Sequence, residues 1–200
     1  MSTTITTEDV IAVGKGSSLT AGVLADWAAK GTPKQREYLH GLLQAEHASR
    51  RAARHARLLK AARLPTVKTL EGYDWTNLAF PADYGREQLT SLEFLQCGGD
   101  LVFYGDVGTG KTHLAAALVA QACREGIPAR FFTTAALVAQ LRRAQEAERL
   151  DKELAALAKN QLLVLDLCRA CNYAEDDSAG PRGFPADLGL RVEGEIPISA

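Results

Sequence analysis

Eight consecutive residues, Gly105-Asp-Val-Gly-Thr-Gly-Lys-Thr112, match the pattern G-x-x-x-x-G-K-[ST] in full. Glycines at these positions let a backbone turn tightly and point successive N–H groups inward, the arrangement that cradles phosphate oxygens. A helix opening directly after such a turn adds the positive end of its dipole. In this chemistry Lys111 reaches the outer phosphates and the Thr112 hydroxyl binds Mg2+. The nucleotide-contacting run is therefore Gly105, Asp106, Val107, Gly108, Thr109, Gly110, Lys111 and Thr112, with His113 next in the helix.

A second chemical element is Leu162-Leu-Val-Leu-Asp166, four apolar residues closed by a carboxylate. An Asp ending a buried strand some 55 residues beyond the lysine is placed to hold Mg2+ opposite the loop. Hydrolysis also needs a group that orients or activates water. In additional-strand ATPases that group is usually a Glu directly after the Asp. Here the position is Leu167, which can neither accept a proton nor orient water.

A third element is basic. Between Lys34 and Arg63 eight basic residues face two acidic ones, and no acid interrupts the run from Arg50 to Arg63. On a helix Arg50, Arg54 and Arg57 share a face with Arg51 beside them and Lys60 further along. Such a stripe suits contact with a nucleic-acid phosphate backbone and argues against salt-bridge lacing. Tyr73 and Trp75 suit either stacking on a base or core packing, the latter being the commoner fate. Cys168-x-x-Cys171 lacks the further ligands of a zinc site, and the four histidines form no metal or triad spacing.

The surrounding elements fit the motifs. A helix is expected around Leu24–Ala29 and a long one from about Pro33 to Arg63, stopped by Leu64-Pro65. Residues 64–99 form a connector with a short helix over Arg86–Phe94. Strands are expected over 100–104, 129–133 and 161–165. Helices follow at 112–124, from Thr133 or Thr134 to Ala144, and around Leu150–Leu157. This alternation is the grammar of a parallel sheet with flanking helices. The expected fold is thus α/β, a phosphate-binding-loop core behind an N-terminal helical region. The divisions are 1–63 for the helical region, 64–99 for the connector, 100–166 for the core and 167–200 for a tail. That tail is Gly- and Pro-rich with seven acidic against three basic residues over 166–200, so it reads as disordered. Its best strand candidates are Leu188–Val192 and Ile196–Ile198.

Composition is that of an ordinary globular chain: 200 residues, 46% hydrophobic, 24% charged, net charge −1. The longest stretch without Asp, Glu, Lys or Arg is Thr112–Cys123, too short to span a bilayer. MSTTITTEDV carries no basic region leading into an apolar run, so no secretory signal is expected. Four cysteines do not make a disulfide framework at this length. A cytoplasmic protein with no membrane partner is the expectation.

The segments KTLEGYDW, YGREQLTSLEFL, DLVFYGDVGTGKTHLAAAL, RFFTTAALVAQL and LLVLD together resemble the IstB-like ATP-binding proteins. These are transposition helpers of a group of bacterial insertion sequences, related to DnaC-type helicase loaders. The likeness runs from about Arg50 to Asp166. It implies an AAA+ ATPase module, ATP and Mg2+ as cofactors, homo-oligomers on DNA, and the transposase of the same insertion sequence as partner. By position it puts Gly105, Gly108, Gly110, Lys111 and Thr112 on ATP phosphates and Asp166 at Mg2+. It also places the arginines of residues 50–63 near DNA. The family pattern after the Asp, a Glu, further strands, a polar sensor and an inter-subunit arginine, is not seen after Asp166. The resemblance further implies a strand between that of the loop and that of Asp166. Its omission leaves a gap near 10 Å or forces re-pairing, since neighbouring strands lie about 4.8 Å apart. A truncated or frame-shifted copy with impaired hydrolysis is the expectation, its rival a tail whose 188–192 segment pairs into the sheet. A helicase loader and a non-enzymatic DNA-binding remnant are the alternative functions, and a small-molecule kinase is the most distant.

Overall fold

The computed structural model describes residues 4–76, 78–82, 84–106, 108–167 and 189–192. They fall into two units, divided between Ala56 and Arg57.

The first unit is helical. Helix α1 (Thr7–Gly14) opens on a reciprocal cap, in which the Thr6 hydroxyl accepts from the Asp9 N–H and the Asp9 carboxylate accepts from the Thr6 N–H. Hydrogen bonds donated to the carboxylate by the Thr6 N–H, and then by the Thr6 hydroxyl, lower the Asp9 pKa. The helix is absent from the expectation because only Val10 and Gly14 along it are buried, leaving little periodicity. Thr6-x-x-Asp9 is the signal that marks it. Helix α2 (Ala21–Lys30) extends the segment expected around Leu24. Val10, Leu24, Ala28 and Leu43 form a small core. Gly14 lets α1 approach α2, since a β-carbon there would lie 1.9 Å from Leu24 Cδ2, and Leu24 is itself buried. Gly14→Ala should lower stability by about 1–3 kcal/mol. A thermal melt followed by circular dichroism reads this directly.

Helix α3 (Pro33–Ala62) is continuous over 30 residues and carries the unit boundary within it. Arg63 adopts φ 55° directly after it, and Leu64-Pro65 follows. The last turns, at Leu58, Leu59 and Ala62, pack into the main core of the second unit.

In the second unit, strand β1 (Leu78–Ala79) is too short to have been legible. The helix expected over 86–94 is two pieces, α4 (Arg86–Thr90) and α5 (Glu93–Gln96). Leu92, at φ 59°, breaks them while keeping its side chain buried. Strand β2 (Val102–Tyr104) leads into the Gly-rich turn, and helix α6 (Lys111–Arg124) leaves it. Strand β3 (Ala129–Thr133) is followed by α7 (Thr134–Glu146), whose Ala136 N–H donates to the Thr133 hydroxyl as a cap. Helix α8 (Leu150–Leu157) and strand β4 (Leu162–Asp166) complete the alternation. Helix α6 is the centre of the core, with nine buried residues from Leu114 to Cys123.

The strands form two separate sheets. Strand β5 (Gly189–Val192) lies between β1, antiparallel, and β2, parallel, with Phe103 opposite Leu190. β3 and β4 pair in parallel from Ala129↔Leu162 to Thr133↔Asp166. Among the described residues no ladder joins β2 to β4. The strand candidate at 188–192 pairs over Gly189–Val192, as in the rival reading of the tail. Ile196–Ile198, Cys168 and Cys171 lie outside the described residues. No helix among the described residues is long and apolar enough to cross a membrane.

Candidate functional site

The turn between β2 and α6 holds its shape through glycine. Gly108 sits at φ 90° and Gly110 at φ 85°, left-handed values that cost little only without a β-carbon. Gly110 directly precedes the first turn of α6, and the Leu114 N–H donates to its carbonyl at 2.9 Å. Thr109 is buried at 1% exposure and donates to the Asp106 carbonyl at 2.9 Å, fixing the crown of the loop. Val107 lies outside the described residues.

Lys111 follows the loop inward. Its ammonium donates to the carbonyls of Gly105 (2.7 Å) and Asp106 and to the Thr109 hydroxyl (3.2 Å). The charge is thus held at the loop's own mouth. A phosphate arriving there would replace carbonyl partners by anionic ones, a stronger class of hydrogen bond.

The carboxylate at the end of β4 meets the loop from the other sheet. Thr112 Oγ1 donates to Asp166 Oδ2 at 3.1 Å, although 54 residues separate the two. Two oxygen ligands at adjacent corners of an octahedral Mg2+ shell lie about 3 Å apart, so this pair fits such an ion. Hydroxyl and carboxylate are also the hard oxygen donors that Mg2+ prefers. No group of three or more His, Cys, Asp or Glu among the described residues gathers as a metal cage. Thr134, read from sequence only as a cap, also reaches this point, its hydroxyl donating to the Asp166 carbonyl at 3.4 Å. Leu167 follows and is 67% exposed.

The connector packs on the first turn of α6. His113 Nε2 is 3.3 Å from the Thr69 carbonyl, and its ring meets Tyr73 edge-on with centroids 5.4 Å apart. Tyr73 in turn meets Trp75 edge-on at 5.0 Å, and the Arg86 guanidinium lies over the Trp75 ring. Tyr73 is buried in the main core, the packing role given preference from its residue type. Burial, then the Asp74 charge, raises its phenol pKa. Tyr84 is pushed up to about 12, first by burial and then by Glu93 and Cys97.

The basic residues Arg50, Arg51, Arg54, Arg57 and Lys60 are all exposed on α3. Arg50, Arg51 and Arg54 belong to the first unit, and Arg57 and Lys60 to the second. One expectation is corrected. Arg50 is laced, forming an ion pair with Glu46 four residues earlier and a hydrogen bond to the Ser18 hydroxyl. Glu46 lies just outside the acid-free run, within reach of its first member at i, i+4.

A family model described as the IstB-like ATP binding protein matches residues 21–178. The match extends beyond both ends of the resemblance visible in the quoted segments. An IS21 insertion-sequence protein of Pseudomonas aeruginosa, named for ATP binding, is 36% identical over 146 residues. That alignment covers 72% of this chain and 54% of the relative. An IS5376 counterpart from Geobacillus stearothermophilus is 32% identical over 143 residues, covering 72% and 57%. A third, from Mycobacterium tuberculosis, is 32% identical over 131 residues. The chain spans about half the length of these relatives. With the family model covering most of its residues and the loop, lysine and strand-end carboxylate in one place, the chain belongs to the IstB-like ATP-binding proteins.

Proposed function

We propose that this chain binds ATP–Mg2+ at Gly105–Thr112, with Asp166 and Thr112 toward the ion, and hydrolyses it slowly or not at all. The observation that carries this reading is the approach of Thr112 Oγ1 to Asp166 Oδ2 at the mouth of the glycine loop. Two motifs far apart in sequence thereby supply one oxygen pair. When bound, Mg2+ neutralises phosphate charge. The chain's own residues position that phosphate through loop N–H groups, the α6 dipole and Lys111. Leu167 offers no acceptor for a proton from water.

The same reading extends to DNA, through the exposed cations of α3, and to the transposase of the same insertion sequence as partner. The printed names of the relatives tie them to insertion sequences, which supports a role in transposition. Each phosphate neutralised contributes a salt-dependent, sequence-independent increment to binding. Replacing Arg51 and Arg57 together by Ala should reduce the slope of log affinity against log salt by roughly 2. Fluorescence anisotropy on a duplex between 50 and 200 mM salt, about the range where such slopes are read, checks this. An unchanged slope would remove these residues from the DNA contact.

ATP titration in the presence and absence of Mg2+ tests the nucleotide site. Asp166→Asn should leave Mg2+-free binding intact while shrinking the gain that Mg2+ gives. Equal loss in both conditions would place Asp166 in the fold and not at the ion.

A further inference from the structure

His113 belongs to two parts of the second unit at once. Its backbone lies in the first turn of α6, directly after Thr112 and ahead of the first helical bond, from the Leu114 N–H to the Gly110 carbonyl. Backbone donors at a helix start serve a bound anion. Its imidazole lies on the connector, with Nε2 3.3 Å from the Thr69 carbonyl and the ring edge-on to Tyr73 at 5.4 Å. A carbonyl only accepts, so Nε2 carries the hydrogen and donates.

Thr69 and Tyr73 are the two ends of one turn. The Tyr73 N–H donates to the Leu70 carbonyl at 3.3 Å, and Gly72 takes φ 73° between them. Tyr73 is buried and Leu70 packs against the same core, whereas Thr69, Glu71 and Gly72 are exposed. Among the described residues the Thr69 carbonyl accepts from His113 and from no other donor. The exposed end of the turn is therefore held by a side chain whose own backbone stands at the phosphate site.

We infer that the His113 side chain couples phosphate occupancy of the glycine loop to the turn at residues 69–73, as a positioning residue through which the connector responds to nucleotide. The inference rests on the reading of the loop as the ATP site. Phosphate that fixes the start of α6 also fixes where the ring stands, so the turn closes on it with less further loss of freedom. Coupling is reciprocal, and the closed turn raises ATP affinity by the same factor.

Amide hydrogen exchange on the full chain, with and without saturating ATP–Mg2+, reads the loop and the turn separately. In the wild type, ATP should slow exchange over 108–114 and, by about three- to tenfold, over 69–73, the range for one hydrogen bond. Two variants divide the contact. His113→Phe keeps a ring beside Tyr73 and removes the donor, while His113→Gln keeps a donor and removes the ring. The Phe variant should retain ATP protection of the loop, lose that of the turn, and bind ATP about three- to tenfold more weakly in a titration. The Gln variant should keep the response of the turn. A merely structural role would lower Tm without nucleotide and leave that response in place.

No ATP protection of the wild-type loop would sink the nucleotide reading and this inference with it. Loop protection without turn protection would overturn the inference alone, and that comparison stands whether or not either variant folds. Turn protection that survives in His113→Phe would overturn it too, because the nucleotide would then reach the turn directly. Unchanged ATP affinity in that variant, or loss of the response in His113→Gln, would each contradict coupling through the Thr69 hydrogen bond.

Discussion

Lys111→Ala is expected to weaken ATP binding by about 10- to 100-fold, without unfolding the protein. The ammonium at present satisfies the Gly105 and Asp106 carbonyls and the Thr109 hydroxyl. Gly105 and Asp106 are exposed, so their carbonyls can turn to water, and the buried Thr109 hydroxyl keeps its hydrogen bond to the Asp106 carbonyl when the donor is lost. The cost falls on the bound state, where a charged hydrogen bond to phosphate contributes about 1.5–3 kcal/mol. Isothermal titration with ATP, beside a melt of both proteins, measures the two effects separately. A variant that keeps wild-type affinity would show that the lysine stays on the loop when nucleotide is present.

The largest effect on stability is expected at Leu114. It is fully buried, in the first turns of α6, and belongs to the cluster joining α3, the connector, β3 and β4. Truncation to Ala removes buried methyl groups and opens a cavity, together costing about 2–5 kcal/mol. Whole domains are stable by only about 5–15 kcal/mol, so this is a large fraction. A fall in Tm of roughly 10 °C is the expected reading. Because Leu114 stands two residues beyond Thr112, ATP affinity should fall with it. Added nucleotide should recover part of the lost Tm, since ligand bound only to the folded form stabilises it. A change below about 1 kcal/mol would mean that the core around α6 is looser than its burial indicates.

The residues that make the site were legible because their chemistry leaves few alternatives. A glycine at φ 90° followed two residues later by one at φ 85°, then Lys and Thr, writes the turn into the sequence. Asp166 was legible as a strand end, since four apolar residues before it fix where the strand stops. The contact of Thr112 with Asp166 was legible only as an expectation tied to a phosphate-binding fold. No local signal reports a hydrogen bond spanning 54 residues. Thr134 shows the same limit. Its residue type predicts a cap, while its second partner depends on how β3 and β4 are paired.

Legibility failed where length or pairing decides the outcome. Helix α1 has one buried large side chain and was betrayed only by its cap. β1 is two residues long, and although 188–192 was legible as a strand candidate, its place between β2 and β1 was not, because those partners lie over 80 residues away. A break at Leu92 cannot be read from residue type, because leucine rarely adopts a left-handed backbone. The pairing of Arg50 with Glu46 follows from i, i+4 helical spacing, with Glu46 lying just before the acid-free run.

We propose that this chain holds ATP–Mg2+ through the glycine loop and does not turn it over appreciably, because Leu167 offers no acceptor for a proton from water. Phosphate release by the purified chain, at ATP concentrations that saturate binding, tests it most directly beside Lys111→Ala. The predicted result is saturable, Lys111-dependent binding with phosphate release no higher than in the variant. Release that is well above the variant and is lost with Lys111 would contradict it.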